Sequence, residues 1–279
     1  MLATALLIAL PAVPSVPSTL ERVHVVGASV SDGFGTRREF GATLRLDHVL
    51  DVALPEKSVV GHAASEMMFL TPVASGDSQI EAALDAEATL LIGIDFLFWY
   101  AYGVLPSEEA RLERFEEGLA ALEQFEGTIL IGDIPDVRYA LPGGMLFEAQ
   151  LPELATIARC NERLAQWAAE RRDVHVVPLA KFLAEVPTAD EITVRGERYL
   201  KPFESLLQRD LLHANVDGTI ALVRLILDSL PGIEKLGDVT WSHAALRAET
   251  FRRWAPEKAS GEQAVPVPNG GQHARRRAA

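Results

Sequence analysis

Two short runs constrain this chain more than anything else in it. "TLLIGI", Thr89–Ile94, and "TILIG", Thr128–Gly132, are apolar at nearly every position. A strand with one face in water alternates apolar and polar residues, whereas a strand covered on both faces reads as an unbroken apolar run. Further candidate strands lie at Arg22–Val26, Ser58–Gly61 and Val174–Val177, which makes five with Thr89–Ile94 and Thr128–Ile131. Amphipathic stretches separate them. In "SEEARLERFEEGLAALEQFEG", Leu112, Phe115, Leu119, Leu122 and Phe125 share one stripe, with acids in the first turn and Gly127 after the end. A second helix is expected from about Glu153 to Arg171, and a third after "NVDG". Strands alternating with helices of this length predict a βαβ series and a parallel sheet.

Other segments fall outside that rhythm. "ITVRGERYL", Ile192–Leu200, reads as a small hairpin turning at Gly196–Glu197. The first 18 residues, "MLATALLIALPAVPSVPS", have the length and the small-residue ending of a secretory signal peptide, although no Lys or Arg precedes Arg22. Such a leader would send the chain to the periplasm or the exterior. Residues 256–279 lack periodicity and are rich in Pro, Gly and Ala, so a disordered tail is expected there. One domain, residues 19–255, is the simplest account of the remainder.

Composition narrows the function. Hydrophobic residues make up 48 % and charged residues 23 %, enough to bury a real core. The net charge of −13 disfavours phosphate backbones and anionic lipid, so no nucleic-acid partner is expected. Beyond the leader no segment is long enough to span a bilayer. Cys160 is the only cysteine, which excludes an intrachain disulfide and a cysteine-based metal cluster.

The chemistry concentrates at the end of the first strand, in "VHVVGASVSDGFGTRR". Its glycines are Gly27, Gly33 and Gly35, which do not fit Gly-x-Gly-x-x-Gly. No Gly-Lys-Ser/Thr follows, and Ser31 breaks the Gly-x-Ser-x-Gly elbow. What remains is Gly27-Ala28-Ser29 with Gly33 four residues on, a turn able to present a serine. A serine nucleophile needs a base, and the base needs an orienting acid. Of seven histidines, His213 stands apart, in "RDLLHANVDG" before the last expected helix. Asp210 lies three residues earlier, a spacing that can set a carboxylate against the imidazole. A helix cap with an exposed histidine would use the same spacing. His24, His48 and His175 fall in regular elements and read as packing or surface residues, and His62 follows the second candidate strand.

Taken together, Gly27-x-Ser29 after the first strand and Asp210-x-x-His213 before the last helix resemble the SGNH (GDSL-type) hydrolases. The order of blocks agrees over roughly residues 22–230. The resemblance implies a three-layer α/β/α sandwich with a five-stranded parallel, flavodoxin-like sheet and no metal or organic cofactor. It implies a serine hydrolase acting on a small-molecule carboxylic ester, with Ser29 as nucleophile, His213 as base and Asp210 as its partner. The family's oxyanion hole would draw on the Ser29 N–H, a glycine N–H in the second block and an Asn side chain in the third. Here Ala63, or Ala64, stands for that glycine, because Gly61 is early. Asp95 stands where Gly-x-Asn would put the amide. An ionised carboxylate only accepts hydrogen bonds, so Asp95 could serve an oxyanion only if an apolar pocket beside Phe96, Phe98 and Trp99 kept it protonated. In that case Asp95→Asn should stay active; otherwise Asp95 orients a neighbour. Two alternatives share the same residues: a non-catalytic ligand-binding protein, and an acyltransferase.

Overall fold

The computed structural model describes residues 18–230 and 242–256. The expected leader and tail therefore lie outside the described residues, apart from Ser18 and Pro256. Five strands, β1 Arg22–Val25, β2 Val59–His62, β3 Leu90–Gly93, β4 Thr128–Gly132 and β5 Val174–Val177, form one sheet in the order β2-β1-β3-β4-β5. Every neighbouring pair is parallel. In β3, Leu90 and Ile92 enter the core on one face while Leu91 enters the core on the other. The unbroken apolar runs of β3 and β4 thus have their cause: both faces are covered.

The helices are α1 Arg37–Phe40, α2 Leu46–Ala53, α3 Pro72–Asp85, α4 Phe98–Ala101 and α5 Glu108–Glu123, followed by α6 Leu154–Ala169 and α7 Leu179–Glu185. Then come α8 Pro202–Leu206, α9 Val216–Ser229 and α10 His243–Trp254. Residues of α2 and α9 pack on one face of the sheet, and residues of α3, α5 and α6 on the other. This is a three-layer α/β/α sandwich. Local chemistry sets the helix starts. Ser107 accepts the Ala110 amide at the head of α5, and Asn215 accepts the Gly218 amide at the head of α9.

The hairpin β6 Glu191–Val194 and β7 Glu197–Leu200 is antiparallel, as expected, but turns one residue earlier than the spacing suggested. Arg195 and Gly196 both have positive φ, 47° and 73°. A two-residue turn of the primed type needs that at both central positions, so glycine occupies the second. β2 likewise runs one residue further than expected and takes His62 as its last residue.

The strand order positions the site. From β1 the chain moves outward to β2, then returns to place β3 on the other side of β1. Loops leaving β1 and β3 diverge there, opening a crevice beyond the carboxyl ends of the strands. Ser29 follows β1 and Asp95 follows β3.

Candidate active site

The turn after β1 begins with Gly27, whose φ of +139° is closed to side-chain-bearing residues. A Cβ there would also stand 2.1 Å from Asp95 Oδ1. Glycine is needed because the Asp95 carboxylate passes directly beside the backbone. That carboxylate organises the turn. Oδ1 accepts from the Ala28 amide at 3.0 Å and from Ser31 Oγ at 2.5 Å. Oδ2 accepts from the Val30 amide at 2.8 Å and the Ser31 amide at 3.2 Å. Gln79, buried in α3, clamps the preceding peptide: its Oε1 accepts the Gly27 N–H at 2.7 Å and its Nε2 donates to the Gly27 carbonyl at 3.0 Å. The amides of Asp32, Gly33 and Phe34 are taken by carbonyls within the turn. From residue 27 to residue 34, Ser29 alone has a backbone N–H without a hydrogen-bond partner among the described residues.

Two of the expected oxyanion contributors are therefore corrected. The Ala63 amide donates to the Val25 carbonyl at 2.8 Å, continuing the β1–β2 ladder, and is not free for a ligand. The Ala64 amide has no such partner among the described residues. Asp95 does not face outward as a donor. Both of its oxygens accept from the turn that carries Ser29, which is the orienting role left open by the sequence. Burial pushes its carboxyl above the ordinary range against the pull of Ser31 Oγ and the three amides.

The second half of the site comes from the loop before α9. Asp210 Oδ1 accepts the amides of Leu212 and His213, each at 3.0 Å, which folds the Asp-x-x-His segment back on itself. Asp210 Oδ2 then lies 2.8 Å from His213 Nδ1, and His213 Nε2 lies 2.9 Å from Ser29 Oγ. His213 is buried, with the Phe34 ring 4.5 Å away and tilted by 39°. The helix cap is Asn215, so the reading of His213 as an exposed histidine beside a cap does not hold. Burial pushes the Asp210 carboxyl up, but bonds from the His213 ring and the two amides outweigh it and keep the carboxyl below its usual range. Between them, Leu211 adopts a φ of +62°, a strained conformation for leucine at the point where the loop doubles back.

Gln208 joins the two halves. Its Nε2 donates to the Phe34 carbonyl at 2.6 Å and to the Ala214 carbonyl at 2.7 Å. Neither Gln208 nor Gln79 stood out in the sequence. A signal existed for Gln79, which shares the buried stripe of α3 with Gly76, Ile80 and Ala83. A lone amide on an apolar stripe must find a partner in the core.

A third group of charges braces the turn from below. His62 Nε2 lies 3.2 Å from Asp32 Oδ1 in the turn, and its Nδ1 lies 3.2 Å from Asp47 Oδ1 in α2. Asp47 also pairs with Arg45 at 2.8 Å. Burial pulls the His62 pKa down, yet the attraction of Asp32 and Asp47 prevails and lifts it to about 9. His62 thus links β2, α2 and the turn. Asp133 accepts the Ala180 amide at the head of α7, and Asn161 grips the Ile134 peptide at both ends.

Two depressions meet at Ser29. An open groove of about 240 Å³ is lined by His213, Phe34, Trp99 and exposed apolar side chains including Met67 and Phe147. A narrower slot of about 60 Å³ runs inward past Phe98 and Trp99 between α7 and α9. Of the aromatic run 96–100, Phe98 and Trp99 line these spaces while Phe96 and Tyr100 are core. No described helix is long and apolar enough to cross a membrane.

Sheet order and layers give the three-layer α/β/α sandwich with a five-stranded parallel sheet that the SGNH resemblance implied. Among solved structures, the lipase/acylhydrolase from Enterococcus faecalis superposes with a TM-score of 0.50 at 14 % identity, covering 75 % of this chain and 94 % of its own. TesA gives 0.47 at 16 % identity over 76 % of this chain and 99 % of its own. BT4096, a gut microbial diltiazem-metabolizing enzyme, gives 0.47 at 14 % identity over 77 % of this chain and 47 % of its own. No family model and no curated protein matches the sequence.

Proposed function

We propose that this chain is a serine hydrolase of carboxylic esters. The observation that supports this reading is the continuous line Asp210–His213–Ser29, with gaps of 2.8 and 2.9 Å, at the mouth of a groove able to hold a small molecule. Ser29 Oγ attacks the ester carbonyl carbon while His213 Nε2 takes its proton. Asp210 holds the other ring nitrogen as a donor and stabilises the imidazolium that forms. The negative oxygen of the tetrahedral intermediate faces the Ser29 amide, the one donor of the turn left without a partner. His213 returns the proton to the departing alcohol, leaving an acyl-Ser29 ester. A water molecule, deprotonated by His213, repeats the addition at that carbonyl and frees the acid. An alcohol in place of water would give acyl transfer by the same steps.

One observation favours a second, non-catalytic reading: with Ala63 tied into the sheet and Asp95 turned inward, the oxyanion site is poorer than the family pattern implies. The experiment that separates the two is labelling with a fluorophosphonate probe alongside hydrolysis of p-nitrophenyl acetate. Covalent labelling at Ser29, and a loss of at least about 10³-fold in rate for Ser29→Ala, are expected of the enzyme. A Ser29→Ala protein that keeps its rate, or a wild type that neither labels nor turns over, would sink the hydrolase.

A further inference from the structure

We infer that the inner slot holds the acyl chain of the substrate, and that this chain is apolar. The inference rests on the hydrolase reading. Ser29 lines both depressions, so an ester carbonyl at its Oγ sends one arm into each. His213 decides which arm goes where. It must hand its proton to the leaving alcohol, so the alcohol has to lie on the side that His213 lines. His213 lines the groove and not the slot. The acyl arm is left with the slot.

The chemistry of the walls agrees. Phe182 and Leu183 of α7, with Val186 just after it, line the slot together with Leu222 of α9 and with Leu206 and Leu207. Of the lining side chains only Ser29 and Asp95 carry oxygen, and both Asp95 oxygens are occupied by the turn. Trp99 Nε1 is the one further polar side-chain atom of the lining, so an acyl group rich in hydroxyls, such as a sugar acid's, would strand most of its polar atoms.

The test uses p-nitrophenyl esters from acetate to palmitate, and the isomeric pair methyl octanoate and heptyl acetate. We expect kcat/KM to climb about two- to fourfold per methylene from acetate until the slot is full and then fall. Each buried methylene is worth up to about 0.8 kcal/mol, or fourfold. Methyl octanoate should be preferred to heptyl acetate by at least about tenfold. Leu183→Trp, which fills the slot, should lower the octanoate-to-acetate ratio by at least about thirtyfold, and Phe182→Ala should move the optimum to longer chains. A flat series, a preference for heptyl acetate, or a ratio unmoved in a folded Leu183→Trp protein overturns the assignment. If no ester is cleaved and no probe labels Ser29, the hydrolase reading fails instead. Calorimetric titration then decides the slot by itself: octanoate must bind wild type and not Leu183→Trp, and absence of octanoate binding overturns the slot as well.

Discussion

The Asp95 carboxylate straddles Ser29, with Oδ1 on the amide of Ala28 and Oδ2 on the amide of Val30. Both oxygens face N–H groups, so the residue that looked like a substitute for an oxyanion amide is an acceptor the turn requires. Asp95→Asn presents an NH2 to one of those amides. Relief from burying a charge offsets part of the lost bonding, so the melting temperature should drop by only a few degrees. The turn cannot keep its place, however, and a displacement near 1 Å at a nucleophile costs about 10²-fold. Steady-state hydrolysis should show that loss in kcat. Full activity in Asp95→Asn would restore the donor role that the sequence suggested.

Gly27 is bound to the same arrangement. Gly27→Ala places a methyl group 2.1 Å from Asp95 Oδ1 in a backbone region that alanine avoids. We expect a loss of about 2–4 kcal/mol in chemical denaturation, from strain and overpacking together. A change below about 1 kcal/mol would mean that Asp95 moves aside at little cost.

Why some of this was legible follows from what each residue touches. β3 and β4 announced themselves because each is covered twice, and their apolar runs are that fact written out. The meeting of Asp210 with His213 was legible because Asp210 reaches His213 locally through the loop amides. Asp95 was not, because its direction is set by the β1 turn, 64 residues away in sequence, rather than by its own neighbours. Ala63 failed for a related reason: whether an amide is free depends on where the β1–β2 ladder stops, and spacing alone does not fix that. Gln208 has no local signature at all. Its partners are the Phe34 and Ala214 carbonyls, which come together only in the folded chain.

The His62 brace predicts a pH effect with a definite sign. Its pKa rises from an ordinary 6.5 to about 9 on folding. The stabilisation is therefore fully present below about pH 6.5 and is lost as pH rises through 9. Solvent screening at the crevice edge limits it to about 1–2 kcal/mol. Urea denaturation at pH 7 and pH 10 should show wild type losing that much more stability than His62→Gln over the same interval. Parallel losses in the two proteins would mean that His62 carries no charge in the folded state at pH 7.

Gln208 offers the sharpest test that the two loops act as one unit. Its side-chain amide is the bridge from the Phe34 carbonyl at the end of the Ser29 turn to the Ala214 carbonyl beside His213. Gln208→Ala leaves two carbonyls without that donor and should cost about 1–2 kcal/mol in stability. The effect on rate should be separable from this. Ser29 and His213 keep their own contacts but lose a shared anchor, so their 2.9 Å approach is populated less often. We expect kcat for p-nitrophenyl acetate and the rate of fluorophosphonate labelling to fall together, by about tenfold, while KM stays within about twofold. On the proposed mechanism, activation of Ser29 by His213 governs both rates, whereas substrate contact governs KM. A variant that loses stability but keeps both rates would show that the bridge holds the fold and not the reacting pair.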